Sequence, residues 1–155
     1  KKIAHLGKAH NDDWAQAAIK EQSQNTRYYW LGDVPGWRVR REFAKTHLMA
    51  LTSIQEGGAN VISESIVAGV PIVASNIPGN TGLLGKDYPG LYSLGDEHAL
   101  AEIFLQAETD PVFLERLSMA CYQLRSRFLP KSESDKWNNL VMRIASQAQD
   151  RCQLF

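Results

Sequence analysis

Two glutamates bracket the segment of this chain whose residue types and spacing are best suited to chemistry. Glu56 is followed directly by Gly57 and Gly58, and Glu64 lies in the apolar run that comes after them. This order is typical of a strand that ends in a tight glycine loop and leads into a helix. Such a loop leaves backbone N–H groups free to face an anion, and the helix dipole favours negative charge there. Because the flanking carboxylates can accept hydrogen bonds from hydroxyls, the segment predicts a nucleotide-sugar site.

The elements that must position this segment alternate along the chain. Short apolar runs predict strands, and capping residues followed by periodic apolar positions predict helices. The predicted strands are residues 3–7, 27–31, 47–52, 71–74 and 91–94, and the predicted helices are 11–23, 37–46, 60–68, 96–107, one opening at 110–111, and 132–148. This alternation predicts an α/β fold, a three-layer Rossmann-like domain with a mostly parallel sheet.

Ligands of such sheets bind at the carboxyl ends of the strands. The loops after Leu31, Thr52 and Ala74 are therefore expected to share one edge. Residues 76–90 are predicted to form a glycine- and proline-rich loop on that edge, either a lid over a ligand or a plain surface loop. Asn60 has a second expected role, as the cap of the helix that follows it.

Apolar side chains define the expected inner faces of the helices. The first predicted strand, 3–7, is expected to be buried. The first helix is predicted to turn Trp14, Ala17 and Ala18 inward. The last helix is predicted to turn five residues inward, Trp137, Leu140, Val141, Ile144 and Ala148.

Composition narrows the class of protein. The chain has 155 residues, 44% of them apolar, which is enough for one soluble globular domain. Lys plus Arg equals Asp plus Glu, at 17 each, so nucleic acid and anionic membranes are not expected as main partners. No apolar run has membrane-spanning length, which argues against an integral membrane protein. Cys121 and Cys152 lack metal-ligand spacing, so a reducing cytoplasm is the expected location.

The glutamate segment also carries a family resemblance. Thr52 to Glu64, continued by Ala68 to Ser75, resembles the donor-site signature of family 4 glycosyltransferases, which have the GT-B fold. The resemblance implies that Glu56 is the catalytic-site carboxylate that contacts the donor sugar, and that Glu64 binds the ribose hydroxyls. It implies no metal and no cofactor. It also implies that the backbone of five residues contacts the diphosphate: Gly57, Gly58, Ala59, Asn60 and Val61. It implies that the backbone of Leu31 and Gly32 contacts the base.

The resemblance covers nearly the whole chain. It implies that residues 1–155 are the donor-binding C-terminal domain, and that the domain's first strand and an N-terminal acceptor domain lie upstream of Lys1. A small-molecule acceptor would then be held by that other domain, and this fragment alone is expected to be inactive. The last helix resembles one that packs towards the acceptor domain, so an uncovered apolar face is expected to favour self-association.

A narrower resemblance involves Gly32 to Arg41 together with Glu56 to Val61. These segments are similar to the selenosugar synthases, which join selenium from selenophosphate to a sugar from a UDP-sugar. The resemblance implies a UDP-sugar donor and selenophosphate as acceptor. Arg38 and Arg41 share a helix face and are either a phosphate clamp or part of a solvated basic face paired with Glu42.

Two other classes of function remain open on the sequence. One is a nucleotide-binding regulatory α/β domain that uses the same phosphate loop without transferase chemistry. The other is one half of a sugar-nucleotide epimerase with the same fold.

Overall fold

The predicted alternation of strands and helices is present in the computed structural model, which describes residues 1–152 and, within the last helix, side chains as far as residue 146. The predicted inward position of Ala148, and the side chain of Cys152, lie outside this described part. The elements are β1 (Ile3–Leu6), α1 (Asp12–Gln24), β2 (Tyr28–Gly32), α2 (Gly36–Phe43), β3 (Met49–Leu51), α3 (Asn60–Ala68), β4 (Ile72–Ser75), α4 (Pro78–Leu84), β5 (Leu91–Tyr92), α5 (Glu97–Thr109), α6 (Pro111–Leu124), a 3-10 turn (Arg125–Phe128) and α7 (Pro130–Cys152).

The chain divides into an N-terminal unit, Lys1–Thr46, and a C-terminal unit that begins at His47. In the N-terminal unit β1 and β2 pair in parallel, with Ile3 opposite Tyr28. Helix α1 begins as predicted, because the Asn11 side chain accepts a hydrogen bond from the Trp14 backbone N–H at 2.9 Å.

Burial in the N-terminal unit is sparse, and it corrects two predictions. Among residues 1–46, all of which the structure describes, Ala18 and Phe43 are the buried ones. Trp14 is 59% exposed, and Ala17 is exposed as well, so the predicted inner face of α1 is wrong apart from Ala18. The predicted burial of the first strand is also wrong, because β1 has a single paired neighbour in a two-stranded sheet and is exposed from its first residue to His5.

The C-terminal unit contains the hydrophobic core. Its sheet has the order β3-β4-β5, with every pair parallel and with Leu51 opposite Ala74. All four residues of the central strand β4 are buried. The core is completed by helices α3 and α6, which bury Ile62, Ile66, Phe113, Leu117 and Cys121.

Tyr88 is hydrogen-bonded to the backbone of the central strand. Its hydroxyl donates to the Ile72 carbonyl at 2.9 Å and accepts from the Ile72 N–H at 3.2 Å. Burial raises the pKa of the Tyr88 hydroxyl and the pKa of the neighbouring Cys121 thiol. Both groups are therefore neutral members of the core.

Residues 76–90 were predicted to be a loop, either a lid or a plain surface loop, but they contain helix α4. Pro78 occupies the first turn of α4, a position where its missing N–H is not needed. Asn80, Leu84 and Tyr88 are buried. The segment is a packed part of the C-terminal unit, and Asn80 of α4 donates a hydrogen bond to the Ser75 carbonyl at the end of β4.

The last helix also differs from the prediction. It packs against the 3-10 turn that precedes it. Four of the residues expected to face inward are exposed: Trp137, Leu140, Val141 and Ile144. These side chains follow one helical stripe. Trp137 and Leu140 border a groove with Ser63 and Phe128, and the stripe as a whole is an apolar surface exposed to solvent.

Candidate functional site

The loop between β3 and α3 is built as the sequence predicted. Because β3 and β4 are parallel, the loops that follow them leave the sheet at the same edge. Gly58 has φ +122°, a backbone conformation that side chains with a Cβ rarely adopt. The placement of the loop after Leu31 on this edge concerns the other unit and stays a prediction.

The start of α3 is open. Ala59 stands at the N-cap position with extended backbone and offers no side-chain acceptor, and no other side chain of the described residues accepts a hydrogen bond from the first turn. Asn60 is the first helical residue, so the prediction that its side chain caps the helix is wrong. The first N–H groups of α3 therefore have no side-chain acceptor, and the helix dipole adds positive potential at the same point. An anion is the natural partner of such an end.

Glu56 is held at its side chain. The Ser53 hydroxyl donates to Oε1 of Glu56 at 2.8 Å, and both residues are half-buried. A carboxylate with one oxygen fixed in this way has a defined orientation, and its other oxygen can accept from a ligand hydroxyl.

The end of β4 supports the same loop. The Ser75 hydroxyl donates to the Ser53 carbonyl at 2.6 Å. The Asn80 amide nitrogen donates to the Ser75 carbonyl at 2.9 Å and to the Ser75 hydroxyl at 3.2 Å. A Cβ atom on Gly79 would overlap the Glu56 carbonyl oxygen, so the start of α4 lies directly against the Glu56 backbone.

Glu64 lies in the second turn of α3 with an exposed side chain. Glu56, Glu64 and the residues 57–61 between them thus belong to one continuous loop and helix of the C-terminal unit. Helix α3 ends as predicted at Gly69, whose φ of +77° closes the helix in the left-handed conformation.

The other predicted site residues belong to the N-terminal unit. Leu31 and Gly32 end strand β2. Arg38 and Arg41 are exposed on α2. Oε1 of Glu42, in the same helix, lies 4.0 Å from Nζ of Lys45. The two arginines are thus open to solvent, and their predicted role as a phosphate clamp stays a prediction.

Sequence analysis missed four residues that support the loop: Ser53, Ser75, Gly79 and Asn80. The spacing of Ser53 and Glu56 is a weak signal, because many serines precede a carboxylate without bonding to it. The hydrogen bonds of Ser75 and Asn80 join different elements, so no local sequence pattern predicts them.

Within the described residues, His, Cys, Asp and Glu side chains form no group of three that could hold a metal ion. The expectation of metal-free chemistry is not tested by this and stays a prediction. None of the helices in the described part of the chain is both long and apolar enough to cross a bilayer.

Comparison with known proteins assigns the chain to a family. Residues 3–124 match the family described as "Glycosyl transferases group 1". The chain belongs to this glycosyltransferase family. No curated protein sequence matches it significantly.

Solved structures share the fold. Sucrose-phosphate synthase from Thermosynechococcus elongatus superposes with a TM-score of 0.76 at 15% identity, over 94% of this chain and 39% of that protein. Anabaena Alr3699/HepE in complex with UDP-glucose gives a TM-score of 0.73 at 20% identity, over 94% of this chain and 41% of that protein. The pneumococcal O-GlcNAc transferase GtfA, in complex with UDP and GlcNAc, gives 0.74 at 20% identity, over 93% of this chain and 29% of that protein.

These similarities confirm the predicted fold class. The chain has the α/β fold of the C-terminal, Rossmann-like half of GT-B glycosyltransferases. It spans about two fifths or less of the length of these structural relatives.

Proposed function

We propose that this chain is the donor-binding half of a glycosyltransferase and that its donor is a UDP-sugar. The observation that carries the proposal is the β3–α3 loop, where the uncapped start of α3 follows a carboxylate oriented by Ser53. Family membership supports glycosyl transfer. The UDP-glucose complex of HepE and the complex of GtfA with UDP and GlcNAc support uracil as the base of the donor.

In this proposal each part of the donor has its own contact. The backbone N–H groups of residues 57–61 and the dipole of α3 stabilise the diphosphate, whose charge grows as the sugar leaves. Glu56 accepts hydrogen bonds from the sugar hydroxyls and Glu64 from the ribose. Leu31 and Gly32 contact the base through their backbone. No metal or cofactor takes part.

The acceptor belongs to a second domain. Because the structural relatives are more than twice as long as this chain, we propose that the acceptor is a small molecule bound outside residues 1–155. The resemblance to selenosugar synthases makes selenophosphate the acceptor to test, with Arg38 and Arg41 as its candidate clamp. The chain alone is then expected to bind donor without turnover. The cysteine content supports a cytoplasmic location.

Calorimetric titration with UDP, UDP-glucose, UDP-N-acetylglucosamine, GDP and ADP tests the donor site. We expect uridine-selective binding that weakens by about ten- to hundredfold in Glu64→Ala, the loss expected for hydrogen bonds to a charged group. Glu56→Ala should weaken UDP-sugars but leave UDP unchanged. Glu102→Ala, an exposed glutamate of α5, is the matched control.

Other outcomes of the titration identify the rival functions. Equal loss of UDP and UDP-sugar affinity in Glu56→Ala would favour a nucleotide-binding regulatory domain. Conversion of the UDP-sugar to its epimer by a longer chain, with no acceptor present, would favour an epimerase. Absence of binding in both this chain and a longer one would contradict the donor-site proposal.

We also infer that the isolated chain self-associates through the apolar stripe of α7. Trp137 is 60% exposed and Ile144 is 59% exposed, on the same helix face. Sedimentation over a range of concentrations should therefore show dimers or larger species, and Ile144→Asp should shift them to monomers. A monomer at every concentration would contradict this inference.

A further inference from the structure

We propose that Ser75 and Asn80 are positioning residues for Glu56, acting through Ser53, and that they set the affinity of the site for the sugar part of its ligand. The expected effect on sugar affinity rests on the proposed function. The positioning itself is a property of the free protein.

The hydrogen bonds run in one direction. The Ser75 carbonyl can only accept, so the Asn80 atom that faces it at 2.9 Å must be the amide nitrogen. The same nitrogen lies 3.2 Å from the Ser75 hydroxyl, which itself donates a hydrogen bond to the Ser53 carbonyl at 2.6 Å. The Ser53 hydroxyl then donates to Glu56 Oε1 at 2.8 Å.

Burial strengthens this chain of bonds. Ser75 and Asn80 are both 0% exposed, so water does not compete for their polar groups. Among the described residues no donor reaches Oδ1, the side-chain amide oxygen of Asn80. Leaving this buried acceptor unpaired costs free energy that an apolar side chain of similar size would not cost. The stabilising contribution of Asn80 therefore comes from the two hydrogen bonds of its amide nitrogen.

Gly79 adds an independent restraint on the same residue. A Cβ atom there would overlap the Glu56 carbonyl oxygen and lie 2.8 Å from the Glu56 carbonyl carbon, closer than real contacts allow. The Glu56 backbone is thus packed against α4 while its side chain is oriented from Ser53. The backbone restraint comes from Gly79 at the start of α4, and the side-chain restraint comes from Ser53, whose carbonyl is bonded to Ser75 at the end of β4.

The expected consequence is specific to the sugar. A carboxylate must stand within a narrow geometry to accept from a ligand hydroxyl. The diphosphate is assigned to backbone groups beyond Glu56, which the Ser75 bond does not touch. Loosening the loop should therefore weaken a UDP-sugar more than it weakens UDP.

The first test is Ser75→Ala, with Ser75→Thr as the variant that keeps the hydroxyl. Ser65→Ala is the matched control, because Ser65 is also 0% exposed and its hydroxyl also donates to a backbone carbonyl, that of Val70 at 3.0 Å. Ser53→Ala removes only the last link and sits at a half-buried position, so it remains informative if Ser75→Ala does not fold.

Two quantities are measured on each variant. Backbone order parameters from NMR relaxation report the part of the loop from Ser53 to Glu56 in the free protein. Calorimetry gives the ratio of UDP-glucose affinity to UDP affinity. We expect Ser75→Ala and Ser53→Ala to lower that ratio by about tenfold, the loss expected for one hydrogen bond to a charged group. Ser75→Ala should also lower the loop order parameters. Ser75→Thr and Ser65→Ala should retain the wild-type ratio and the wild-type loop.

The outcomes separate this proposal from the proposed function. Unchanged loop order parameters in Ser75→Ala, or a lowered order with an unchanged affinity ratio, would overturn the positioning role while leaving the donor site intact. If neither this chain nor a longer one binds either ligand and Ser75→Ala still loosens the loop, the positioning stands and the donor-site proposal fails.

Discussion

The two units of this chain use similar apolar strands with very different results. In the C-terminal unit every residue of β4 is buried between neighbouring strands and helices. In the N-terminal unit β1 is exposed along most of its length, although its sequence Ile-Ala-His-Leu is nearly as apolar as that of β4. The difference lies in the number of neighbours, because β4 has a strand on each side and β1 has one.

The predicted site residues are divided between the well-packed unit and the sparsely buried one. The Glu56 loop rests on a packed core and on a hydrogen-bonded strand end. Leu31, Gly32, Arg38 and Arg41 belong to a unit with two buried residues among its 46. We therefore expect the residues proposed to contact the diphosphate and the sugar to be rigid in this chain, and those proposed to contact the base to be held less firmly.

The largest effect should come from the core of the C-terminal unit. Leu117 is 0% exposed, so Leu117→Ala should lower the free energy of unfolding by about 2–5 kcal/mol. Leu105→Ala, at a residue 62% exposed in the neighbouring helix α5, should change it little. Denaturant unfolding followed by circular dichroism measures both. Equal losses would show that burial does not distinguish these two sites of the C-terminal unit, and would remove burial as the basis for comparing the units.

A smaller loss is expected when a buried hydrogen bond is removed. Tyr88→Phe leaves the Ile72 carbonyl and N–H without their side-chain partner, which should cost about 1–3 kcal/mol. Tyr29→Phe in the N-terminal unit is the control, because Tyr29 is 39% exposed. Thermal unfolding should separate the two variants, and a Tyr29→Phe loss as large as that of Tyr88→Phe would argue that the N-terminal unit is better packed than its exposure indicates.

Helix caps should affect the two units alike. Asn11 caps α1 through the Trp14 N–H at 2.9 Å, and Asp110 caps α6 through the Val112 N–H, also at 2.9 Å. Replacing either by Ala should cost about 1 kcal/mol, since a cap depends on local geometry rather than on core packing. Hydrogen exchange of amides in α1 and α6 measures the local loss in each case. A cost confined to α6 would mean that α1 is already partly open in the wild-type chain.

The smallest structural disturbance comes from thiol chemistry. Because burial raises the pKa of the Cys121 thiol, its reactive thiolate is scarce at neutral pH. In a Cys152→Ser background, iodoacetamide should label native Cys121 at least about tenfold more slowly than a cysteine placed at exposed Ala17. The rate at Cys121 should rise with pH, as the thiolate fraction grows. Equal rates at the two sites would show that the C-terminal core opens as easily as the surface of α1.

Local features were determined by the sequence alone. The bounds of α3 were predicted as they stand, and α1, α5 and α6 begin within one residue of their predicted starts, where Asn11, Asp96 and Asp110 cap them. Each of these depends on residues within a few positions of one another, where a side chain meets the backbone of its own turn. The order of glutamates and glycines also predicted the loop and the broad family, which the family match confirms.

The tertiary structure decided everything that requires two distant segments to meet. Exposure of Trp14 and of the α7 stripe depends on which elements lie opposite them, and helical periodicity cannot supply that. The support of Glu56 is of the same kind, because the hydroxyl that fixes the Ser53 carbonyl comes from Ser75, in another strand. A periodic pattern shows which face of an element is apolar, whereas burial and hydrogen-bond partners depend on packing among elements far apart in the chain.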